Sequence, residues 1–297
     1  MWGLRELSHC CFVPAHPPPV SRIRKLMQHI ELSDQNVVPL VNVAKNVKGL
    51  RILFVNVFGI TNPDGSWTLI DAGLPLSTER IRHGVDMKFS KPPKSIVLTH
   101  GHDDHIGAVK ELAESWQVPV YAHPLERPFL TGKRQYPPPD PTVGGGIMSV
   151  MSPLYPRGPI DITHHLEDLP GDGSVPTMPE WKCIHTPGHT VGHVSFFRDS
   201  DRALLVGDAF CTTDQQSFLK IAVQKPELNG PPAYFTPDWN AARDSVRKLS
   251  ELRPTILAPG HGLPMVGDEI PTKLETLARD FDRIARPKHH QEKDPAA

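Results

Sequence analysis

Residues 100 to 105 read His100-Gly101-His102-Asp103-Asp104-His105 and follow a short apolar run. That run, residues 95–98, predicts a buried strand, and the spacing of apolar residues over 106–116 predicts a helix after the hexamer. The hexamer therefore has to turn at the carboxyl end of a strand, where α/β folds commonly place their ligands. Imidazole and carboxylate groups together bind borderline metals such as zinc. The sequence thus predicts a metal site at this edge of a sheet.

The composition argues against several other roles. The 297 residues include 32 basic and 33 acidic ones, so no overall field attracts nucleic acid or an anionic membrane. No apolar run approaches the roughly 18 residues needed to span a bilayer, and residues 1–6 lack the apolar core of a secretion signal. The four cysteines show no paired spacing, which predicts reduced thiols. We therefore expect a cytoplasmic protein without a nucleic-acid or membrane partner.

The pattern of apolar and turn residues predicts three parts. An N-terminal extension (1–36) precedes the main domain (37–285), and a polar C-terminal tail (286–297) follows it. Met27 is an alternative start of the native product, because the sequence after it leads directly into the first predicted strand. These boundaries predict a single domain large enough to bury a substantial core.

Strand and helix patterns alternate through the domain. Strands are predicted at 37–43, 50–58, 67–71, 95–98, 118–122, 181–185, 194–198, 203–206 and 255–258. Helices are predicted at 77–85, 106–116, 238–252 and 269–284. The turn residues 62–65 predict an antiparallel hairpin between the second and third strands. Thr236 is the expected N-cap of the third helix, with Pro237 at its first position.

Residues 125–179 form a proline-rich segment that is longer than a simple connection requires. Loops of this length in compact domains tend to be lids or binding loops. Residues 144–151 supply flexible glycines and apolar side chains, and Phe129, Leu154 and Tyr155 add apolar surface. We expect this lid-like insertion to cover the apolar group of a small-molecule substrate.

Three later segments end predicted strands with further metal-binding side chains. They are residues 186–193 with His189, 205–209 with Asp208 and 258–262 with His261. Each has the His or Asp beside a glycine, so the side chain would project from a tight turn at a sheet edge. A single Gly-His or Gly-Asp pair is a weak signal. The ordered set, following the hexamer, predicts that all of these side chains converge.

With these segments the chain resembles the metallo-β-lactamase superfamily. The resemblance rests on the hexamer and on residues 69–73, 187–190, 207–208 and 260–261, and it covers roughly residues 37–285. It implies an α+β or α/β fold, a four-layer αββα sandwich in which two sheets pack face to face with helices outside.

The resemblance also implies two divalent metal ions, with Zn²⁺ favoured. The implied ligands are His100, His102 and His189 for the first site, Asp104, His105 and His261 for the second, and Asp208 as the bridge. Asp71 looks like the acid that orients such a site without binding metal, and Asp103 occupies a variable position. His193 follows the third ligand, and we expect it to have a hydrogen-bonded structural role.

This ligand set predicts hydrolysis of an ester, thioester or lactone by a metal-bridging hydroxide. Metal binding lowers the pKa of water from 15.7 to about 7, so no serine or cysteine nucleophile is required. Asp104 or Asp208 is the expected catalytic residue that carries the proton.

Two other activities stay open at this point. β-Lactamases with this hexamer generally lack the bridging aspartate, so Asp208 argues against a dedicated β-lactam-hydrolysing enzyme. Persulfide dioxygenases use the scaffold with one iron held by two His and one Asp, whereas the seven-residue set here favours the hydrolase. Cys211 stands where related lactonases usually carry tyrosine, which weakens the lactonase interpretation. The substrate, the metal and the oligomeric state, with a homodimer as one option, are not specified.

Overall fold

The computed structural model describes residues 40–143, 152, 160–213 and 227–291. These residues belong to a compact unit, Val38–Ala297. The predicted extension (1–36) with Met27, the glycine-containing stretch 144–151, Leu154 and Tyr155 lie outside the described residues, as do the last six residues of the tail.

Strands and helices alternate along the described chain. The strands are β1 Val41–Ala44, β2 Val47–Ile52, β3 Val55–Thr61, β4 Trp67–Ile70, β5 Ile96–Val97, β6 Val120–Ala122, β7 Leu166–Asp168, β8 Lys182–His185, β9 Val194–Arg198, β10 Ala203–Gly207, β11 Ile256–Pro259 and β12 Met265–Val266. The α-helices are α1 Thr78–Asp86, α2 Asp103–Ile106, α3 Val109–Trp116, α4 Arg127–Leu130, α5 Trp239–Glu251, α6 Ile270–Arg279, α7 Phe281–Ile284 and α8 Lys288–Gln291. Short 3-10 turns lie at Pro124–Glu126 and Ala233–Phe235.

The described strands form two mixed sheets. The first has the order β1-β2-β3-β4-β5-β6-β7, with antiparallel pairing up to β4 and parallel pairing from β4 to β7. The second has the order β12-β11-β10-β9-β8, and only β10 and β11 pair in parallel. Parallel pairing at the centre of each sheet brings the carboxyl ends of β4, β5, β10 and β11 to the edges from which site residues can project.

Consecutive residues on the central strands belong to different apolar clusters. Ile70 of β4 and Leu205 of β10 share one cluster, which therefore lies between the two sheets. Their neighbours Leu69 and Leu204 belong to two other clusters. Because side chains alternate across a strand, each sheet buries both of its faces.

Helices cover the outer faces of both sheets. Ile81 of α1 and Leu112 of α3 pack in the cluster with Leu69, and helices α5 and α6 supply Val246 and Leu274 to the cluster with Leu204. The order is therefore helix, sheet, sheet, helix. The predicted αββα sandwich is confirmed.

The predicted strand 50–58 is wrong as a single element. The chain turns at Leu53, which has φ 57° and is 48% exposed, so β2 and β3 form a hairpin of their own. An apolar residue in the left-handed region is uncommon, and this turn lacks the Gly or Asn that would have predicted it.

Two predicted helices are each interrupted. The amide of Gly107 donates to Gly73 O and that of Ala108 donates to Ala72 O, so the helical hydrogen bonds stop between α2 and α3. At the closing helix, Asp280 (φ −104°, ψ 24°) separates α6 from α7. The apolar spacing continues across both breaks, which is why periodicity alone predicted single helices.

Thr236 is not the N-cap of α5. The side chain of Asp238 accepts a hydrogen bond from the amide of Ala241 and caps the helix, which begins at Trp239. Both residue types are favourable N-caps, so composition could not separate the two positions.

The segment 125–179 is partly ordinary sheet and helix. It contributes α4 and the edge strand β7, which pairs with β6 in parallel. Neither β7 nor β12 was predicted, because strands of two or three residues give almost no periodic signal.

Within the described ranges, no helix is long and apolar enough to cross a membrane.

Candidate metal centre

The hexamer turns from β5 into α2. His102 has extended backbone (φ −72°, ψ 149°) and directly precedes α2, and its carbonyl accepts a hydrogen bond from the amide of His105 at 2.9 Å. Asp104 and His105 therefore lie in the first turn of a short helix, whereas His100 and His102 lie before it. The side chains of Asp104 and His105 therefore leave the chain in a different direction from those of His100 and His102.

The other three predicted ligands come from the second sheet. His189 lies in the loop between β8 and β9, Asp208 follows β10, and His261 follows β11. The parallel pair β10 and β11 stays joined past the strand ends, because the amide of Gly260 donates to Gly207 O at 2.9 Å. Asp208 and His261 consequently leave the sheet side by side.

The structure brings all seven predicted ligands together. The described residues form three groups, and within each group the donor atoms lie within 4.8 Å of one another. The groups are His100 with His102 and His189, His100 with His105 and Asp208, and Asp104 with His105 and His261. The first and third groups are the two predicted sites. The second group takes Asp208 and one histidine from each site, as a bridging position requires.

The Asp208 carboxylate contacts histidines of both predicted sites. Its Oδ2 lies 3.5 Å from His189 Nε2 and 3.1 Å from His261 Nε2, and its Oδ1 lies 3.5 Å from His105 Nε2. The side chain of Asp208 is 2% exposed. This one carboxylate therefore faces donor atoms from both sheets inside the protein.

Hydrogen bonds on the outer side of the imidazoles fix which nitrogen faces the cluster. His105 Nδ1 lies 2.8 Å from Asp71 Oδ2, and His261 Nδ1 lies 3.1 Å from the carbonyl of Phe54. Both partners can only accept, so each Nδ1 carries a proton and each Nε2 is the nitrogen that faces the cluster.

The same assignment holds for two further histidines. The hydroxyl of Thr236 donates to Pro232 O, so His189 Nδ1, 3.2 Å away, donates to that hydroxyl. The hydroxyl of Thr99 donates to Asp71, so His100 Nδ1, 3.0 Å away, donates to it. Such outer hydrogen bonds are how proteins orient metal-binding imidazoles.

Two buried polar atoms in the cluster have no hydrogen-bond partner among the described residues. They are His100 Nε2 and Asp208 Oδ1. Leaving a buried polar atom unsatisfied costs about 1–3 kcal/mol. A lone pair on each atom, directed at the other donors, fits coordination of a metal cation.

The two predicted sites differ in charge. Burial lowers the pKa of His100 and His189 well below the ordinary value and that of His102 to about 4, so the first group is neutral. Burial also opposes a proton on His261, but the carboxylates of Asp208 and Asp104 outweigh burial and raise its pKa to about 10. The carboxylates are therefore concentrated at the second group, where they favour bound positive charge.

The structure places the predicted auxiliary residues near the cluster. Asp71 binds the amide and hydroxyl of Thr99 and the imidazole of His105. His193 hydrogen-bonds to Thr186 through Nδ1 and accepts the amide of Asp208 through Nε2, so both of its nitrogens are occupied. Among the described residues, neither Asp71, His193 nor Asp103 belongs to the three donor groups.

Aromatic rings lie against imidazoles of both groups. Phe54 stacks with His261 at 6.0 Å between ring centroids, and Phe235 tilts against His102 at 4.8 Å. Tyr136 contacts the ring of His102 at 4.6 Å. Phe54 and Phe235 are half-buried, so part of each of these apolar residues is exposed to solvent.

Sequence reasoning missed a buried acid beside the cluster. The carboxylate of Glu126 accepts hydrogen bonds from Gly101 N, Gly192 N and the hydroxyls of Thr190 and Tyr136. Burial raises the pKa of Glu126, and these four hydrogen bonds oppose the rise. The residue lies between two predicted elements and has no motif around it, so the sequence carried no signal for it.

Cys211 is also close to the cluster. Burial, and then the carboxylates of Asp208 and Asp104, raise the pKa of its thiol well above the ordinary value. The thiol is therefore protonated and is not a nucleophile at neutral pH.

Known proteins are similar to this chain in sequence. The sequence model of the metallo-beta-lactamase superfamily matches residues 50–261. The probable metallo-hydrolase YflN of Bacillus subtilis is 47% identical over 245 residues, which cover 81% of this chain and 93% of YflN. A second probable metallo-hydrolase of that bacterium, YybB, is 31% identical over 177 residues, covering 60% of this chain and 68% of YybB.

Solved structures show the same fold. The BLEG-1 B3 metallo-beta-lactamase superposes with a TM-score of 0.51 at 26% identity and covers 74% of this chain and 92% of its own. TTHA1623 in a di-iron-bound form has a TM-score of 0.50 at 24% identity, and the match covers 78% of this chain and 96% of the TTHA1623 chain. With its αββα sandwich and its His/Asp cluster, the chain belongs to the metallo-β-lactamase superfamily.

Proposed function

We propose that the chain is a binuclear metal-dependent hydrolase that cleaves an ester, a thioester or a lactone. The observation that carries this proposal is the position of Asp208, whose Oδ2 lies within 3.5 Å of His189 on one side and 3.1 Å of His261 on the other. A carboxylate that lies between two groups of imidazoles has the position expected of a ligand that bridges two metal ions.

Zinc is the favoured metal for these residues. Imidazole and carboxylate donors suit zinc, but they also accept iron and manganese, and one structural relative was solved with two irons. When bound, two such ions would supply a nucleophilic hydroxide near neutral pH and polarise the scissile carbonyl.

The two aspartates of the cluster differ in exposure, and we assign them different roles. Asp208 has a side chain that is 2% exposed, so its role is to hold the centre together. Asp104 has a side chain that is 26% exposed, so it can exchange a proton with solvent and pass it to the leaving group. We therefore assign the proton transfer to Asp104.

The aromatic rings beside the cluster support a substrate with an apolar group. Phe54 and Phe235 approach the two groups from different segments of the chain and are half-buried. Covering such rings with an acyl or alkyl chain removes apolar surface from water, at about 25 cal/mol per Å². The predicted lid residues 144–151 lie outside the described chain, so this support comes from the walls of the site.

The proposal is tested with a panel of chromogenic thioesters, lactones, aryl esters, phosphodiesters and a cephalosporin. The zinc-loaded wild type is compared with Asp208→Ala and with Asp103→Asn, which changes an aspartate of the hexamer outside the donor groups. We expect hydrolysis of one carbonyl ester class by the wild type and Asp103→Asn, and its loss in Asp208→Ala.

Three results would contradict the proposal. Full activity of Asp208→Ala would refute a bridged two-metal centre. A single bound iron together with oxygen consumption would favour the mononuclear oxygenase, and a preference for the cephalosporin over all esters would favour β-lactam hydrolysis.

A further inference from the structure

Glu126 has a completely buried carboxylate that is separate from the seven predicted ligands. The residue is 0% exposed and ends the short turn Pro124–Glu126 after β6. Its Oε2 accepts the amide of Gly101 at 3.1 Å and the hydroxyl of Tyr136. Its Oε1 accepts the amide of Gly192 at 2.8 Å and the hydroxyl of Thr190 at 2.7 Å.

These hydrogen bonds join the two loops that carry the first histidine group. Gly101 lies between His100 and His102 in the hexamer, and Thr190 directly follows His189. One oxygen of Glu126 is therefore tied to the first loop and the other oxygen to the second. The two loops come from different sheets, so this one side chain joins the sheets at the site, in addition to the backbone hydrogen bond from Val194 N to Thr99 O at 2.9 Å.

The glycines at both contacts leave room for Glu126 and its partner Tyr136. A Cβ added at Gly192 would lie 2.8 Å from Glu126 Oε1, and one added at Gly101 would collide with the hydroxyl of Tyr136. Contacts below about 3 Å are hard to accommodate in an interior packed as densely as an organic crystal. Gly101, at a position of the hexamer that binds no metal, is thereby explained by Tyr136, whose hydroxyl donates to Glu126.

Tyr136 extends the same contact to an imidazole. Its hydroxyl donates to Glu126, its ring lies 4.6 Å from that of His102, and its other neighbour is Phe129, stacked at 4.1 Å. Tyr136 is 6% exposed. The ring of His102 therefore contacts both Tyr136 and Phe235. Glu126 fixes the position of the tyrosine through its hydrogen bond to the hydroxyl.

We propose that Glu126 is a positioning residue, one that sets the geometry of the His100, His102 and His189 group without touching metal or substrate. This proposal rests on the two-metal function proposed above. Its physical basis is that one ionised carboxylate accepts from two backbone amides and two hydroxyls, so both loops are fixed by charge-assisted hydrogen bonds.

The arrangement makes glutamine an informative substitution. In Glu126→Gln the amide nitrogen has to face either Gly101 N or Gly192 N, because each carboxylate oxygen accepts one backbone amide. Two donors then oppose each other, and one of the two loops is released. Tyr136→Phe removes one hydroxyl donor and leaves both backbone contacts intact.

The test is a zinc competition titration of the full-length chain with a chromogenic chelator. It compares wild type, Glu126→Gln, Tyr136→Phe and Leu274→Ala, a substitution in α6 on the outer face of the second sheet that lowers stability without contacting the centre. Loss of an outer partner of a metal site typically weakens metal binding by about 10- to 100-fold. We expect a weakening of that size in Glu126→Gln, a smaller one in Tyr136→Phe and none in Leu274→Ala.

Thermal unfolding in the presence of a chelator measures the stability of each metal-free variant. A loss of zinc affinity can then be compared with the loss of stability in the same variant. If Glu126→Gln does not fold, a weakening of zinc binding in Tyr136→Phe that exceeds that in Leu274→Ala supports the proposal, and its absence overturns it. Zinc binding by Glu126→Gln equal to that of the wild type, or weakened only as much as in Leu274→Ala, would also overturn it. A wild type that binds no zinc would instead refute the two-metal function itself.

Discussion

Asp71 Oδ2 lies 2.8 Å from His105 Nδ1, and both side chains are buried. The same carboxylate binds the amide and the hydroxyl of Thr99, whose hydroxyl accepts from His100 Nδ1. One acid therefore orients an imidazole in each predicted site, directly for His105 and through Thr99 for His100. Asp71 has φ 60°, a conformation that Asp and Asn tolerate better than other non-glycine residues.

Asp71→Asn is predicted to weaken zinc binding by about 10- to 100-fold, the usual loss when an outer partner of a ligand is changed. An asparagine can keep the backbone conformation but cannot accept all three hydrogen bonds, because one side of its amide is a donor. Competition with a chelator measures the affinity. Circular dichroism serves as the control for an intact fold, and unaltered zinc affinity would contradict this role of Asp71.

The adjacent aspartates of the hexamer provide a matched pair. Asp104 Oδ2 lies 3.3 Å from His261 Nε2, whereas Asp103 belongs to none of the three donor groups that the described residues form. Asp104→Asn is predicted to lose metal from the second site, and Asp103→Asn is predicted to retain it. Metal content per chain after dialysis measures both. The assignment fails if the two variants hold the same amount of metal.

Phe235→Ala is predicted to impair substrates with long acyl chains more than acetyl substrates. The ring lies against His102 and is half-buried, so its loss removes apolar contact surface without removing a donor atom. Burying a phenylalanine-sized group is worth about 1.5–3 kcal/mol, which corresponds to a rise in KM of roughly 10-fold or more. KM and kcat are measured across an acyl series. An equal effect on all chain lengths would refute apolar recognition at this wall.

Leu205→Ala tests the packing of the two sheets. Leu205 is 1% exposed and lies in the cluster between the sheets, so its truncation is predicted to lower the free energy of unfolding by about 2–5 kcal/mol. Val266→Ala is the control, because Val266 is 67% exposed and surface changes usually stay within about 0.5 kcal/mol. Urea unfolding compares the two, and similar losses would contradict the sandwich.

The resemblance to the superfamily predicted the sandwich and the seven candidate ligands, and the apolar pattern independently placed several of these side chains at strand ends. Strands such as β10 are apolar along their whole length because both of their faces are buried, and polar ligands follow directly where burial ends. Asp208 and His261 could therefore be placed at sheet edges before any contact was known.

The features that were missed depend on contacts between distant segments. Glu126 and Gly192 are 66 positions apart, and no local pattern records that they meet. The turn at Leu53 is set by an unusual turn residue, and the break near Gly107 is set by hydrogen bonds to Gly73 and Ala72. Both override the periodicity of the flanking residues. The identity of the substrate could not be predicted for the same reason, because it depends on the shape of the walls around the metal centre.

The number of zinc ions bound per chain, measured by mass spectrometry of metals in wild type and Asp208→Ala, tests the two-metal centre most directly. Asp208 contacts histidines of both groups, so we expect two ions in the wild type, fewer in the variant and loss of hydrolysis with them. One ion in a fully active wild type, or two ions and full activity in Asp208→Ala, would contradict it.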